Sequence, residues 1–150
     1  GLPDGSGYVK LASADPSVQP AFNYRYLQHP NDMRRVREGI RKAVGFLESN
    51  AYKDVADYRI QPTEEILADD DALDLYIRQT CGTARHVTGT CKMGPDSDPM
   101  AVVDQYCSVK GVTGLSVVDA SVMPRVTRSG GSHATVVMIG ERAVEWIAPA

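Results

Sequence analysis

The chain has 150 residues, a formal net charge of -3 and a composition that is 43% hydrophobic and 23% charged. These values are typical of a soluble globular protein that is long enough to bury a sizeable core. No basic stretch with interleaved aromatic residues is present, which argues against nucleic acid as a partner. No apolar run is long enough to span a bilayer.

The three cysteines, Cys81, Cys91 and Cys107, cannot all pair with one another, and their spacing contains no C-x-x-C motif. We interpret them as free thiols of a reducing compartment, which predicts a cytoplasmic protein. A metal site that combines them with His86 is the less favoured alternative. The chain opens on Gly1 without an initiator Met, so we expect a fragment or a processed piece.

The first half of the chain begins with one predicted strand and one long helix. Alternating residues at 8–11 indicate the strand. The helix is predicted to start at Asn31 or Asp32, either of which can cap it, and to end near Glu48. Residues 50–68 are predicted to be irregular. The buried face of the helix is the set that recurs every three or four residues: Met33, Val36, Ile40, Val44 and Leu47.

A second helix is predicted to begin at three consecutive aspartates, residues 69–71, because negative charge is favourable at a helix N-terminus. The aspartates do not match a calcium-binding loop, since their spacing does not alternate and no central glycine follows. The helix is predicted to end at Cys81, with Gly82 as its C-terminal cap. Its predicted buried face consists of Leu73, Tyr76, Ile77 and Thr80.

The second half of the chain predicts short extended pieces at 101–104 and 109–112, and a buried, β-branched strand at Leu115–Val118. A last helix is predicted over about 134–147. Its first turns are apolar all round, which predicts that they are buried. Its N-terminus would offer unpaired N–H groups and partial positive charge. The predicted strands are too few for a complete sheet, so the chain is expected to be part of something larger.

The candidate functional centre is the loop at residues 83–95. It places His86, whose imidazole can take or give a proton near neutral pH, among glycines that let the backbone approach a flat ligand. The later segments 117–124 and 132–135 repeat this combination of small, turn-forming and polar residues. We therefore predict that the three segments meet at one site.

An ordered series of short motifs runs through most of the chain. After Gly7-Tyr8-Val9 come Arg85-His86-x-x-Gly89-Thr90-Cys91-Lys92-Met93-Gly94, Val102-Val103-Asp104, Val109-x-Gly111-Val112-x-Gly114-Leu115, Val117-Val118-Asp119-Ala120-Ser121-Val122-Met123-Pro124 and Met138-Ile139-Gly140-Glu141-Arg142-Ala143. The series closely resembles the C-terminal region of the glucose–methanol–choline (GMC) oxidoreductases. The resemblance is most specific from His86 onward.

The resemblance implies a mixed α/β (α+β) fold that is the C-terminal part of a two-domain architecture. In that architecture a Rossmann-like FAD-binding domain accompanies a substrate domain built on an antiparallel sheet. Residues 1–114 would belong to the substrate domain, with the active-site loop at 83–95, and residues 115–150 would return to the FAD-binding domain as a strand and a helix. The G-x-G-x-x-G motif of the Rossmann half is absent from this sequence, so that N-terminal half is an expected partner.

The resemblance also implies an FAD-dependent oxidase or dehydrogenase of small alcohols. Such an enzyme passes hydride from the CH–OH carbon to flavin N5, while a histidine takes the hydroxyl proton. Two alternatives stay open. One is a hydroxynitrile-lyase-like protein in which FAD is only structural, and the other is an inactive fragment or interaction module on the same scaffold.

By position in the family, His86 is the expected catalytic base. A strict alignment puts the second catalytic position on Gly131, whereas a small shift of the loop puts it on His133. The alternative for His86 is a core histidine bonded to backbone, for Asp119 an ordinary turn former, and for His133 a residue that only caps the helix. The cofactor contacts implied by the resemblance are Arg85, Asp119, Ala120, Gly131, Ser132 and His133.

Overall fold

The computed structural model describes residues 3–127 and 132–148. The protein has the predicted mixed α/β character, with helices and one small sheet. Its elements in chain order are strands β1 (Tyr8–Lys10) and β2 (Ala21–Asn23), helices α1 (Pro30–Leu47), α2 (Glu64–Ala68) and α3 (Asp70–Thr80), a 3₁₀ turn (Ala120–Val122) and helix α4 (His133–Ile147). β1 and β2 form a two-stranded sheet, and β1 confirms the strand predicted at 8–11.

The described chain divides into two compact units. The helical unit comprises Asp4–Gly7 and Phe22–Gly82. The C-terminal unit comprises Pro3, Tyr8–Ala21 and the described residues from Thr83 onward. Among the residues that the structure describes, no helix combines the length and the apolar character needed to cross a membrane.

The core of the helical unit lies between α1 and α3. Met33, Leu73 and Ile77 form a buried cluster, with 4%, 0% and 2% of their surface exposed. All three belong to the faces that the hydrophobic periodicity marked as buried. The burial fades toward the end of α1, where Leu47 is 49% exposed. Residues 50–68 are largely irregular, as predicted, except that they include the five-residue helix α2.

The start of α1 differs from the prediction. Its N-cap is His29, which makes no side-chain cap hydrogen bond, and Pro30 follows as the first helical residue. Proline suits that position because the N–H that it lacks would have no helical partner there. Asp32 is not the cap, and its two carboxylate oxygens instead accept the N–H groups of Asp4 and Gly5 at 2.8 Å each. The carboxylate therefore ties residues 4 and 5 to the first turn of α1.

These hydrogen bonds stabilise the charged form of Asp32. Desolvation alone would raise the pKa of its carboxyl group. The N–H donors of Asp4 and Gly5, assisted by the positive charges of His29 and Arg35, outweigh that effect and hold the pKa below its ordinary value. The contact is therefore strongest when Asp32 is ionised.

The ends of α3 show one confirmed feature and one correction. The helix starts at Asp70, within the run of aspartates that predicted its start. Asp69 is the N-cap, and its Oδ1 accepts the N–H of Ala72 at 2.8 Å, a hydrogen bond that the sequence analysis did not predict. The helix ends at Thr80, and Cys81 follows in extended backbone with φ -65° and ψ 144°. The prediction of Gly82 as a C-terminal cap was wrong, because a chain that leaves the helix in extended form needs no residue with positive φ.

The core of the C-terminal unit is a second cluster. Val103, Cys107 and Val122 are buried there, each with at most 1% of its surface exposed. Burial, together with the nearby charge of Asp104, raises the pKa of the Cys107 thiol. The thiol therefore stays protonated and acts as a packing residue, since the thiolate is the reactive form of cysteine.

The buried strand predicted at Leu115–Val118 is absent from the described structure. Ser116 makes only an isolated bridge to Ser108, and Leu115 is 50% exposed. The two extended pieces predicted upstream are likewise present only as isolated bridges. A strand needs a neighbour along its whole length to pair its N–H and C=O groups, and here the neighbours meet only at single residues.

Helix α4 confirms the predicted last helix but not its predicted burial. Val137 and Met138 in its first half are 53% and 56% exposed, and Val144 further along is 58% exposed. Ala143, at 1% exposed, lies on the face that packs inward. The sequence shows that the helix is apolar on several faces, but it does not show whether other parts of the same chain cover all of these faces. The uncovered faces leave a large apolar surface along α4.

Candidate functional site

The loop at residues 83–95 has a strained backbone next to its histidine. Arg85 has φ +63°, in the left-handed region that residues with side chains rarely adopt. The N–H of Arg85 donates to Thr83 Oγ1 at 2.9 Å, which stabilises the turn directly before His86. Such a backbone conformation lowers the stability of the fold by on the order of 1–3 kcal/mol, and residues that adopt it concentrate at functional sites.

The loop is bonded to the 3₁₀ turn at 120–122 through the backbone. The N–H of Cys91 donates to the carbonyl of Ser121 at 3.0 Å. The N–H of Met93 donates to the carbonyl of Val122 at 2.8 Å. Because Val122 belongs to the buried core of the C-terminal unit, these bonds fix the loop to a rigid base. The structure thus confirms that two of the three predicted site segments lie together.

The middle of the loop turns at a glycine, and its end is restrained by an ion pair. Gly89 has φ +83°, and a Cβ placed there would lie 3.4 Å from the carbonyl oxygen of Met123. Lys92 Nζ donates to Asp98 Oδ2 at 2.6 Å. The Lys92 ammonium, with a hydrogen bond from the N–H of Met100, holds the pKa of Asp98 below its ordinary value. The loop is thus held at residues 91–93, while His86 near its start is exposed.

Asp119 and Ala120 open the turn on which the loop rests. Asp119 Oδ1 accepts the N–H of Ser121 at 2.7 Å and so caps the 3₁₀ turn. Asp119 is exposed and Ala120 is half-buried. The carboxylate has the role of a turn former, which was the alternative considered for it. Contact of this turn with a cofactor stays a prediction.

The third segment joins the site through one side-chain hydrogen bond. His86 Nδ1 lies 3.0 Å from Ser132 Oγ, although the two residues are 46 positions apart in the sequence. Ser132 is only 4% exposed, whereas His86 is exposed. One ring nitrogen of His86 therefore faces a buried hydroxyl at the start of α4. His86 is not the core histidine bonded to backbone that was considered as its alternative.

The N-terminus of α4 carries partial positive charge at this point of the site. Ser132 occupies the N-cap position but makes no side-chain cap hydrogen bond. The first N–H groups of a helix have no intrahelical partner, so they and the helix dipole favour an anionic group in front of them. His133 is exposed and is the first helical residue rather than the cap.

The predicted site residues are therefore partly brought together. His86, flanked by Arg85, is bonded to Ser132, and His133 follows Ser132 directly in the chain. The predicted second catalytic position, Gly131, lies outside the described residues. The choice between Gly131 and His133 for that position stays a prediction.

Sequence reasoning missed the bond between His86 and Ser132. Serine is a common N-cap residue, and a serine directly before a helix is usually bonded to that helix. No periodicity or spacing relates it to a histidine 46 residues earlier. Ser132 was named only as a cofactor contact implied by the family resemblance.

Comparison with protein families supports the resemblance. A family model described as GMC oxidoreductase matches residues 3–140. The chain is 37% identical over 146 residues to an oxygen-dependent choline dehydrogenase of Sinorhizobium fredii, an alignment that covers 97% of this chain and 26% of the relative.

Solved structures of similar proteins give the same result. The pyridoxine 4-oxidase from Mesorbium loti matches with a TM-score of 0.82 and 27% identity, over 96% of this chain and 27% of that one. A formate oxidase from Aspergillus oryzae, studied for the modification of its FAD, matches with a TM-score of 0.81 and 32% identity, over 95% of this chain and 24% of that one. The chain spans about a quarter of the length of these relatives.

Proposed function

The chain belongs to the GMC oxidoreductase family, and we propose that it is the C-terminal segment of an FAD-dependent alcohol oxidoreductase. One observation carries this proposal. The loop that bears His86 is bonded both to the 3₁₀ turn at 120–122 and, through Ser132, to the N-terminus of α4. A proton acceptor and a site for negative charge are thereby held on one rigid part of the fold. Oxidation of an alcohol next to a flavin needs both.

The described residues fit FAD. The first turn of α4 has no side-chain cap from Ser132, so its N–H groups are available to the pyrimidine ring of a flavin, where negative charge gathers. Arg85 and the backbone of Asp119 and Ala120 are the further residues proposed to hold the cofactor. When bound, FAD supplies the hydride acceptor at its N5 atom.

His86 is proposed to act as the general base. Its Nδ1 faces Ser132, which leaves Nε2 as the nitrogen that meets the hydroxyl group of the substrate. The hydroxyl proton passes to Nε2 while the C–O bond becomes a carbonyl, and the hydrogen on the carbon leaves with its electron pair as hydride. The alcohol is thereby oxidised by two electrons, and His86 holds the proton. The exposed position of His86 in this chain is consistent with access by a small molecule.

The proposed substrate class is the primary alcohols. Choline and pyridoxine, which appear in the names of two relatives, both carry a CH2–OH group. Oxidation at that carbon fits a histidine base, and it needs no metal ligand from this chain.

The proposed protein partner is an FAD-binding half. Val137, Met138 and Val144 of α4 are each more than half exposed and form an apolar surface. Surfaces of this kind commonly mark interaction sites. The relatives are about four times longer than this chain, and their additional length supports a partner domain that covers α4.

The experiment is anaerobic mixing of the FAD-loaded protein with primary alcohols while the visible flavin absorption band is recorded. Bleaching by an alcohol is expected for the oxidoreductase. His86→Gln is expected to slow bleaching by about 10²–10⁴-fold, the usual contribution of a general base. His29→Gln is the matched control, because His29 is also exposed but lies in the helical unit.

Two outcomes would contradict the proposal. If no alcohol bleaches the flavin and the protein cleaves cyanohydrins instead, the protein is a lyase. If alcohols bleach the flavin equally fast in wild type and His86→Gln, the base is another group.

A further inference from the structure

The hydrogen bond between His86 and Ser132 indicates how the tautomer and the orientation of the His86 ring are fixed. We infer that Ser132 is a positioning residue that keeps the proton of the neutral His86 ring on Nδ1, so that Nε2 is the basic nitrogen. The inference rests on the proposed function, because it assigns a role within the same reaction. It names a residue that touches the base and not the substrate.

Burial makes this bond necessary for the hydroxyl group of Ser132. Ser132 is 4% exposed, so its hydroxyl has little access to water. A buried hydroxyl without a partner is unfavourable, and His86 Nδ1 at 3.0 Å supplies that partner. The exposed ring of His86 is in turn fixed at one nitrogen by a residue that belongs to the base of α4. Such a bond restricts rotation of the ring and sets the direction in which Nε2 points.

The backbone explains why the Ser132 hydroxyl is available to His86. A serine at an N-cap usually has extended backbone, and its hydroxyl accepts an N–H group of its own helix. Ser132 instead has φ -82° and ψ -8°, which are helical values, and its side chain makes no cap bond. Only the carbonyl of Ser132 takes part in the helix, by accepting the N–H of Val136 at 2.8 Å. The hydroxyl is therefore directed to the histidine and not to the helix.

The direction of the hydrogen bond follows from the role of the base. If Ser132 donated its proton to Nδ1, the neutral ring would carry its own proton on Nε2 and could not accept one there. If Nδ1–H donates to Ser132 Oγ, Nε2 has a free lone pair. The same bond persists after Nε2 takes the substrate proton, because both nitrogens of the imidazolium are donors. Only this direction serves the base before and after proton transfer without a rearrangement.

The test compares Ser132→Ala with the hydroxyl-retaining Ser132→Thr in the FAD-loaded protein. We expect Ser132→Ala to lower kcat about tenfold and to change KM by less than about twofold, in line with the loss of one orienting hydrogen bond. Ser132→Thr is expected to recover most of kcat. Ser132→Cys is a second disabling variant of nearly equal size, since sulfur is a weak acceptor. Ser116→Ala is the control, because Ser116 is exposed and lies outside the site.

A second readout does not depend on turnover. Ring ¹⁵N spectra of histidine-labelled protein distinguish the two neutral tautomers, and the His86 signals are identified by their loss in His86→Gln. The Nδ1–H form is expected in wild type and in Ser132→Thr. A shift toward the Nε2–H form, which free imidazole side chains prefer in water, is expected in Ser132→Ala and in Ser132→Cys.

The inference is overturned if Ser132→Ala lowers kcat but leaves the His86 tautomer unchanged, because the effect would then be structural only. It is also overturned if Ser132→Ala changes neither property. The failure of the proposed function gives a different result: His86→Gln itself would then leave flavin reduction intact. Loss of reduction in His86→Gln together with a normal Ser132→Ala overturns the inference alone.

Discussion

Replacement of Asp119 by alanine should destabilise the 3₁₀ turn at 120–122, to which the His86 loop is hydrogen-bonded. Asp119 Oδ1 accepts the N–H of Ser121 at 2.7 Å. The carbonyls of Ser121 and Val122 then accept the N–H groups of Cys91 and Met93. Loss of a capping carboxylate usually lowers stability by about 1 kcal/mol, within a range of about 0.5–2 kcal/mol. We expect a value near the middle of this range for Asp119→Ala, because Asp119 itself is exposed but the turn it caps contains buried Val122.

The assay is urea unfolding followed by the fluorescence of Trp146, the single tryptophan of the 150-residue sequence. Trp146 packs edge-on against Tyr106 with ring centroids 5.3 Å apart, and both lie in the C-terminal unit with Asp119. With a denaturant slope of about 2 kcal/mol per M, a loss of about 1 kcal/mol lowers the unfolding midpoint by about 0.5 M. Asp119→Asn keeps a carbonyl oxygen at the same position, so its midpoint should fall by less than half as much.

An unchanged midpoint in Asp119→Ala would refute this reasoning, since the cap would then contribute nothing. Equal decreases of the unfolding midpoint in Asp119→Ala and Asp119→Asn would also refute this reasoning. In that case the charge of the carboxylate would matter and the acceptor oxygen would not.

Two further predictions concern the helical unit. Leu73→Ala removes a side chain with 0% exposure from the core and should lower the free energy of unfolding by about 2–5 kcal/mol. Leu75→Ala, on the same helix but at a position that is 57% exposed, should change it by less than about 0.5 kcal/mol. Urea unfolding monitored by circular dichroism compares the two variants. The second prediction concerns the pH dependence of stability. The pKa of Asp32 is lower in the folded protein than its ordinary value of 3.8, so the ionised carboxylate stabilises the fold at pH values above 3.8. This stabilisation is lost as the pH falls through the lower pKa of the folded protein. Unfolding free energies measured between about pH 5 and pH 2 should therefore fall more steeply in wild type than in Asp32→Asn. Equal slopes would show that the N–H groups of Asp4 and Gly5 do not favour the ionised carboxylate.

Local features of the sequence were enough to predict much of the fold. The helix that begins after Asp69 was predicted because negative charge is favourable at a helix N-terminus, and in the structure α3 begins there, at Asp70. Leu73 and Ile77 were predicted to be buried because they recur on one face of that helix. Each of these predictions depends on neighbours within about one helical turn. The predicted strand at Leu115–Val118 failed because strand pairing depends on partners that are distant in the sequence.

The sequence by itself determined the family, the positions of the main helices and the identity of the histidine expected to act as base. The helices depend on residue types at short, fixed spacings, whereas the role expected of the histidine is implied by the family resemblance. Only the tertiary structure decided that Ser132 bonds to His86 and not to its own helix, that Asp119 caps a turn, and that the apolar faces of α4 are left uncovered in this chain. The reason is physical: a side chain bonds to whichever partner the folded backbone brings within reach, and across 46 residues the sequence does not specify that partner.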